Sequence, residues 1–511
     1  MAATFFVVLG ITGYLYVIIP KGFIPDQDND QMYVNTEAAQ GTSFKEMVAL
    51  TQRLSDIIGK EPALETFQSS VGGSSFGGSG AGNTGRLFVQ LLPRTHRPVS
   101  AAQVIARLRP KISNIPGIKA YMSLPPVIRV GGRGSSKSSY ELTVKAPDTK
   151  DLYAEAEKLQ EVIAKLPAVN DVNSDLAIKS PRVNVEIDRD KAAALQINVQ
   201  DIESALYNGY GPSWISTIYA PVAQYKVLLE VLPQYQQHSD SVSELYVKSA
   251  TGQLVPLEAV TKLTRMAGPL TINHTGQLPS VTISFNLRPG VALGDAVDQV
   301  DDAARKTLPS RMSTEFTGTA KAFQSSLKNM GLLLTIAILV VYIVLGVLYE
   351  SYVHPLTILS GLPSAGLGAL LTLLIFKVDL SIYAFVGLIM LVGIVKKNAI
   401  MQIDFAVAME REGKSPEVAI YEGCMARFRP IMMTTMAAML GALPMSIGYG
   451  SGGEARRPLG LAVVGGLLFS QLVTLYLTPV VYTYMAAFTE RVTNWKRRSK
   501  VAPRKLVSVE P

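Results

Sequence analysis

The chain has 511 residues and a formal net charge of +8; 48% of the residues are hydrophobic and 17% are charged. The apolar residues lie mainly at the two ends, on either side of a polar stretch of about 310 residues, which indicates membrane segments flanking a soluble region. The basic residues are scattered, which argues against a nucleic-acid-binding protein. One cysteine and four dispersed histidines offer neither an internal disulfide nor a metal-ligand set, so we expect no metal site. These residues are Cys424, His96, His238, His274 and His354.

The first 20 residues are predicted to form a membrane helix. They lack the basic n-region and the small-residue cleavage site of a signal peptide. Residues 31–126 then alternate strand and helix patterns in the order βαββαβ, with helix caps predicted at Thr42 or Ser43 and at Ser100. This order predicts a ferredoxin-like subdomain.

A second subdomain of the same kind is predicted to be split in the sequence. Its first part is 127–180 and its second part is 269–320, because the matching strand and helix patterns resume only after Pro279. Residues 181–268 are therefore predicted to be an inserted, distal module. They include a hairpin whose polar turn is formed by Ala250, Thr251 and Gly252.

The last third of the chain contains five apolar segments, each long enough to span a bilayer. They are 330–348, 355–376, 382–408, 430–447 and 458–485. The basic segment 486–511 predicts a cytoplasmic tail. With the first helix the count is six, so the polar middle is expected on the opposite side, which is the periplasm in a bacterium. The connector 409–425 is predicted to form a short surface helix in the cytoplasm.

The third of these segments carries charges inside an apolar run. Lys396, Lys397 and Asp404 lie within Ser381–Ala408, and a charge at membrane depth costs about 2.5–3.5 kcal/mol on insertion scales. Such residues usually face a protein interior and mark an ion or proton pathway. The alternative is that the bilayer ends near Val395 and both lysines snorkel to the headgroups. Apolar residues resume directly after the lysines, which disfavours that alternative.

Several stretches together resemble the C-terminal half of a resistance-nodulation-division (RND) transporter of the hydrophobe/amphiphile efflux branch. They are PKGFIPDQD, LYESYVHPLTILSGLPSAGLGALL, VGIVKKNAIMQIDFA, RFRPIMMTTMAAMLGALP and RRPLGLAVVGGLLFSQLVTLYLTPVVY. The resemblance implies an α+β membrane protein with six transmembrane helices and a large periplasmic region of ferredoxin-like βαββαβ subdomains, with 181–268 as an inserted docking subdomain. The KKNAIMQIDFA and RFRPIMMTT stretches are most similar to heteromeric drug pumps of this branch.

The resemblance also implies a function and a set of partners. It predicts a secondary transporter of the bacterial inner membrane that exports amphiphilic drugs by proton antiport, without a cofactor. It predicts a homo- or hetero-trimer that works with a periplasmic adaptor protein and an outer-membrane channel. The turn at Ala250, Thr251 and Gly252 is expected to form the docking hairpin for that channel.

Three residues match the proton relay of the family. Lys397 matches the lysine that alternates between carboxylates, Thr434 matches the relay hydroxyl, and Arg427 matches the arginine at the cytoplasmic proton exit. The paired carboxylates of the family belong to its N-terminal half, which this sequence lacks, so a separate chain or a truncation is expected. Asp404 is no substitute, because it shares a helix with Lys397 at a rise of about 10 Å.

Substrate contacts are predicted in the periplasmic region by the same resemblance. The glycine-rich stretch 71–85 matches the switch loop between two drug pockets, with Phe76 in it and Phe88 just after it. Met122 and Leu124 match an access-pocket strand. For Phe88 the alternative is a core strand residue. The stretch 71–85 does not match a phosphate-binding loop, because it holds no lysine and no helix begins at its end.

Two other classes of protein compete with the transporter subunit. A non-transporting membrane scaffold, or a vestigial fragment of such a pump, would keep the fold without the energy-coupling half. An enzyme would need a nucleophile with a base or a metal, and neither Cys424 nor the dispersed histidines offer that set. The sequence also leaves open a relative that exports lipids, metals or proteins, but a metal exporter of the family would be expected to show methionine or acidic clusters in its pocket, which are absent here.

Overall fold

The computed structural model describes residues 2–72, 82–126, 137–211, 213–236, 238–269, 271–450 and 452–500. The chain divides into two compact units. The first comprises Met1–Ala38, Phe44–Asp175 and Asn273–Pro511, and the second comprises Ala39–Ser43 and Leu176–Ile272. The insertion predicted from the sequence, 181–268, corresponds to the segment Leu176–Ile272 of the second unit.

The structure has thirteen α-helices and fifteen strands within its described residues. The helices are α1 Ala2–Ile18, α2 Phe44–Ile58, α3 Ala101–Ile112, α4 Thr149–Ala164, α5 Arg189–Ala194, α6 Val199–Tyr210, α7 Leu293–Thr307, α8 Gly318–Tyr349, α9 Val353–Leu359, α10 Leu362–Ile375, α11 Ile382–Arg411, α12 Pro416–Ile447 and α13 Gly453–Lys500. The strands are β1 Gln31–Ala38, β2 Leu64–Val71, β3 Thr84–Leu91, β4 Ile118–Ser123, β5 Tyr140–Lys145, β6 Val169–Ser174, β7 Ser180–Ile187, β8 Ser213–Tyr219, β9 Gln224–Leu229, β10 Tyr246–Lys248, β11 Leu254–Pro256, β12 Thr261–Gly268, β13 His274–Thr275, β14 Leu278–Leu287 and β15 Ser313–Thr317.

The first subdomain is a four-stranded antiparallel sheet in the order β2-β3-β1-β4 with α2 and α3 on one face. Alternate residues of the strands point to that face, so Met32 and Val34 are fully buried while Tyr33 between them is not. Met47 and Leu54 of α2 pack against them at helical spacing. The predicted cap Ser100 accepts a hydrogen bond from the Gln103 N–H and forms a capping box.

A buried ion pair anchors the segment between α1 and β1 to this subdomain. The Arg97 side chain is almost fully buried and donates to the carboxylates of Asp28 and Asp30. Asp28 also accepts a hydrogen bond of 2.8 Å from the N–H of Ala101, the first residue of α3. Because a helix N-terminus and an arginine both favour a carboxylate, Asp28 joins the chain after α1 to the start of α3.

The second subdomain is a five-stranded antiparallel sheet. Its order is β13-β14-β5-β15, and β6 also pairs with β14. Two ion pairs join it to the first subdomain. Arg109 donates to both carboxylate oxygens of Asp171, at 2.9 Å to one of them, and Lys137 lies 2.6 Å from Glu37.

The unit that contains 176–272 has its own small core. β7 pairs with β12, and β8–β9 and β10–β11 form hairpins. Ile202, Val247, Leu257 and Val260 are buried together in its core. β8 and β12 were not predicted from the sequence; apolar side chains of β8 such as Trp214 and Ile215 are exposed, so no buried stripe marks the strand.

Five helical segments of the described chain are long and apolar enough to cross a membrane. They are Gly318–Tyr349, Val353–Ile375, Ile382–Arg411, Pro416–Ile447 and Gly453–Phe488. α1 is apolar but shorter, so the predicted count of six spans stays a prediction. α10 and α13 approach closely through glycines: a Cβ added at Gly368 would lie 2.4 Å from the Cβ of Phe469.

The surface helix predicted for 409–425 does not exist as a separate element. α11 continues to Arg411 and α12 begins at Pro416, so only residues 412–415 connect them. Proline is favourable in the first turn of a helix, and Pro430 lies inside α12 without ending it. The polar residues after Pro416 are therefore the first turns of the next membrane helix.

Candidate functional site

The charged segment singled out in the sequence is one arm of a helical hairpin. α11 and α12 are joined by the short connection 412–415 and pack as antiparallel neighbours. Midway along them, the Asn398 Nδ2 donates a 3.0 Å hydrogen bond to the Thr435 Oγ1, and both side chains are buried. This hydrogen bond shows which faces of α11 and α12 contact each other at the level of the lysines.

Lys397 and Thr434 each precede one member of that bonded pair. One residue step rotates a side chain by about 100° around a helix. Because the two helices run in opposite directions, a step back on each turns both side chains to the same side of the hairpin. Lys397 and Thr434 are both exposed in this chain, and Thr434 donates to the Ile431 carbonyl at 3.2 Å. The hairpin thus presents an ammonium group and a hydroxyl on one face at nearly one level.

The neighbouring charges are placed differently. Lys396 is half-buried, and Asp404 is exposed and accepts a hydrogen bond from the Tyr349 hydroxyl. Among the described residues no carboxylate forms an ion pair with Lys397. The lysines lie near the middle of α11, which continues for fourteen residues beyond Lys397. Buried apolar residues such as Ala399 and Ile403 follow the lysines on the same helix.

Arg427 lies on the same helix as Thr434 but seven residues earlier, toward the connection 412–415. Its side chain is exposed, and its guanidinium carbon lies 5.8 Å from the centre of the Phe405 ring on α11. Such an arrangement is a cation–π contact. It places Arg427 nearer the end of the hairpin than Lys397 and Thr434.

The sequence reasoning missed three buried amides in this bundle. Asn398 and Gln402 lie one turn apart on α11, and Gln471 lies on α13. The side-chain oxygens of Gln402 and Gln471 are buried and have no hydrogen-bond partner in the described chain. The spacing of Asn398 and Gln402 by four residues in an apolar segment was the signal that could have found them.

Phe88 lies on the open face of the first sheet, opposite α2 and α3. It is 38% exposed, pairs in register with Tyr33, and contacts that ring edge-to-face with the centroids 5.2 Å apart. The Arg86 guanidinium lies 5.8 Å from the Phe88 ring, and Arg86 also donates to the Asn35 side chain at 3.0 Å. This face joins two aromatic rings to polar groups, which suits an amphiphilic ligand.

Met122 and Leu124 lie on the other face of that sheet. Met122 is 4% exposed, pairs in register with Val34 and belongs to the core beneath the helices, and Leu124 is half-buried against the same core. The structure therefore does not bring them to the surface that carries Phe88. Phe76 and most of the glycine-rich stretch lie outside the described residues.

The predicted docking turn is an exposed hairpin end. Ala250, Thr251 and Gly252 are exposed between β10 and β11. Gly252 has a φ of +87°, which glycine adopts without strain, and its N–H donates to the Ser249 carbonyl at 2.9 Å. No carboxylate, cysteine or histidine group in the described part of the chain is arranged to hold a metal.

This architecture is that of an α+β membrane protein, in which an apolar helix bundle displays a lysine. The rest of the described chain is built on two larger antiparallel sheets and three two-stranded sheets. A bundle of this kind with a charged residue on one helix face is typical of a transporter rather than an enzyme. Residues 1–486 match the AcrB/AcrD/AcrF family, and the chain belongs to that family, a group of RND transporters.

Curated relatives support this assignment, and a solved structure shares the fold. The chain is 44% identical over 483 residues to "Multidrug resistance protein MdtC" of Klebsiella pneumoniae subsp. pneumoniae, covering 94% of this chain and 46% of that protein. It is 43% identical to the MdtC of Cronobacter sakazakii, covering 96% and 47%. A crystal structure of a heavy metal efflux pump has the same fold, with a TM-score of 0.84 and 23% identity over 95% of this chain and 50% of that one. The chain thus spans about half the length of the curated relatives it matches.

Proposed function

We propose that this chain is the lysine-bearing half of a proton-driven multidrug efflux pump of the bacterial inner membrane. The observation that carries the proposal is the exposed face of the α11–α12 hairpin, where Lys397 and Thr434 lie side by side. An ammonium group in a membrane interior needs a counter-ion, and no described carboxylate pairs with Lys397. A second half that supplies acidic residues would complete this face.

The mechanism follows from that charge balance. When the carboxylates of the second half are ionised, the Lys397 ammonium is attracted to them. When they take up protons from the periplasm, the attraction is lost and the lysine side chain is free to move. A change of partner at Lys397 would move α11, and with it the elements that pack on α11. Water hydrogen-bonded to Thr434 would carry the protons toward the cytoplasm, and Arg427, which stays protonated, would lie at the exit of that path.

The drugs would bind in the periplasmic region. Phe88, Tyr33 and Arg86 on the open face of the first sheet offer an apolar anchor flanked by polar groups. The relatives named as multidrug resistance proteins support a drug as the cargo. The proposal includes a trimeric assembly, a periplasmic adaptor, and an outer-membrane channel met by the turn at Ala250, Thr251 and Gly252. A non-transporting scaffold, the alternative, would export no drug even with both halves present.

The test is drug accumulation in cells that express this chain with or without a complementary half that carries acidic residues in its helices. We expect export that a protonophore abolishes only when both halves are present. Lys397→Ala should abolish it without lowering the amount of protein in the membrane, because a carboxylate pair without its cation keeps its protons.

The matched control is Lys396→Ala, since this neighbour points about 100° away on the same helix and should tolerate the change. Normal export by Lys397→Ala would show that this lysine does not couple protons to transport. Absence of export by the wild-type pair would favour the scaffold.

A further inference from the structure

The segment 20–28, which follows α1, supplies hydrogen-bond acceptors to the first turns of three helices. The Lys21 carbonyl accepts from the N–H of Gly294, the second residue of α7, at 2.9 Å. The Phe23 carbonyl accepts from the N–H of the first residue of α11 at 3.1 Å, and the Asp28 carboxylate accepts from the first N–H of α3. Because the first N–H groups of a helix have no partner within it, this capping segment satisfies an N–H group of each of the three helices.

The three capped helices belong to different parts of one compact unit. α3 packs on the first sheet, and α7 packs on α4, which in turn packs on β6 and β14 of the second sheet. α11 is the bundle helix that carries Lys397. The capping segment is therefore bonded to the helix layers of both sheets and to the start of the helix that bears the proposed relay lysine.

Further contacts hold the capping segment against the bundle. The Leu380 N–H, just before α11, donates to the Pro20 carbonyl at 2.8 Å, and the Gly22 N–H donates to the Leu380 carbonyl at 3.3 Å. The Phe23 ring is buried and meets the buried ring of Phe323 on α8 edge-to-face, with the centroids 6.2 Å apart. The start of α11 is thus joined to the capping segment by several backbone hydrogen bonds.

The contact between the capping segment and α7 depends on a glycine. The N-cap residue of α7, Ala292, has no acceptor in its side chain, so the Lys21 carbonyl takes that role. A Cβ added at Gly294 would lie 3.1 Å from the Lys21 carbonyl oxygen and 3.5 Å from Cζ of Phe323. Glycine allows such a close approach of two backbones, so any side chain at position 294 would push the Lys21 carbonyl away.

The geometry allows a movement at Lys397 to reach this contact. Lys397 lies fifteen residues after the start of α11, a rise of about 22 Å along an unbroken helix. Rigid helices and hydrogen-bond networks carry displacement over such distances. α8 also joins the second sheet to the bundle, since it begins at Gly318 directly after β15 ends at Thr317. The capping segment differs from that connection because it bonds the start of α11 itself.

We propose that the capping segment 20–28 couples α11 to both sheets, with Gly294 and Phe23 as positioning residues. The inference rests on the proposed proton-driven function and assigns the route by which it would reach the drug-binding region. A change of partner at Lys397 shifts α11 and, through the Phe23 carbonyl, the capping segment. The starts of α7 and α3 follow, because their caps belong to the same stretch of chain.

Hydrogen exchange tests on this chain alone, in lipid vesicles, whether the capping segment acts as one unit. Gly294→Val should speed exchange of the first-turn amides of α7 and also of α11 by about fivefold, because both lose a cap when the segment is displaced. Gly294→Ala should give the same pattern with a smaller change. The matched control is Asp298→Val, which places the same side chain at an exposed position of α7 and should leave α11 unchanged. Faster exchange confined to α7 would overturn the proposal.

A reversible cross-link tests the coupling in transport with the complementary half. In a Cys424→Ser background, Lys21→Cys and Gly294→Cys would place their Cβ atoms about 3.4 Å apart, close to the roughly 3.5–4.5 Å of a disulfide. With the thiols reduced, the side chain at 294 displaces the Lys21 carbonyl, and export should fall by about tenfold while the vesicles still take up protons. Oxidation rejoins the segment to α7 and should restore export. Gly294→Cys alone is the control and should stay impaired under both conditions.

The outcomes separate this inference from the proposed function. If wild type exports drug and the cysteine pair exports equally well reduced and oxidised, the coupling route is wrong while the pump function stands. If wild type exports nothing with the complementary half, the proposed function fails. The exchange measurement on the chain alone then still decides whether α7 and α11 share one cap.

Discussion

One residue step along a helix or strand decides which side chains of this chain are available for function. Asn398 faces α12 while Lys397 before it is exposed, and Val89 is buried while Phe88 before it is open. The sequence predicted Lys397 correctly as lying inside a membrane-length helix, because the apolar residues on both sides of it are visible. It left Phe88 undecided between pocket and core, because its neighbours are apolar too. Only the register with Tyr33 places it on the open face.

Phe88 and Met122 give a matched pair of substitutions in neighbouring parts of one sheet. Phe88→Ala should reduce resistance to large aromatic drugs while the amount of protein in the membrane stays near wild type, because the ring lies on the open face. Met122→Ala should instead lower the amount of folded protein, since emptying a core site costs about 2–5 kcal/mol. Drug susceptibility and immunoblots of membranes measure the two effects. Equal loss of protein from both variants would contradict the assignment of Phe88 to a binding face.

At the scale of elements, the strand and helix periods were enough to predict most strands and helices of the two larger sheets, but not where the membrane helices end. Polar residues close to Pro416 were interpreted as a surface helix because a bilayer boundary was placed at Pro430, whereas α12 runs through both. Contacts between elements that are distant in the sequence could not be predicted from it either. Glu315 in the middle of β15 lies 2.5 Å from Lys145 of β5 and also pairs with Lys321 of α8, and thereby ties the second sheet to a membrane helix.

This three-residue ion network predicts a pH dependence of stability. Hydrogen bonds from Lys145 and Lys321 lower the pKa of Glu315 from 4.5 to about 2. A carboxyl whose pKa is lowered by folding stabilises the folded state above its unfolded pKa, and this contribution is lost as the pH falls from about 4.5 to about 2. Thermal unfolding in detergent should therefore show a fall in Tm over this range that is smaller in Glu315→Gln. Glu258→Gln, in the unit 176–272, is the control, and an equal acid sensitivity of wild type and Glu315→Gln would contradict the network.

For the whole molecule, the order of apolar and polar stretches predicts the architecture, because burial in a bilayer and burial in a soluble core leave different patterns. The candidate site was only partly predictable for a related reason. Lys397 was found as a charge inside an apolar run, and Thr434 through its resemblance to a family. The hydrogen bond of Asn398 to Thr435 and the unpartnered oxygens of Gln402 and Gln471 depend on contacts between helices, which the sequence does not show. The sequence does not show what packs against the exposed face of the α11–α12 hairpin. We propose a second half as its partner, because no described carboxylate balances the charge of Lys397.

The last prediction concerns how this architecture crosses the membrane. Six spans and a basic tail predict that Gly252 lies in the periplasm and Lys500 in the cytoplasm. The turn at Gly252 is exposed, and a cysteine there would be accessible to a reagent. Cys424 is the only native cysteine, so Cys424→Ser gives a background in which Gly252→Cys and Lys500→Cys are each the sole thiol. In intact cells a membrane-impermeant maleimide should label position 252, and it should label position 500 only after the cells are opened. The reverse pattern would invert the topology, and labelling of both positions in intact cells would mean that one of the five helical segments between them does not cross the membrane.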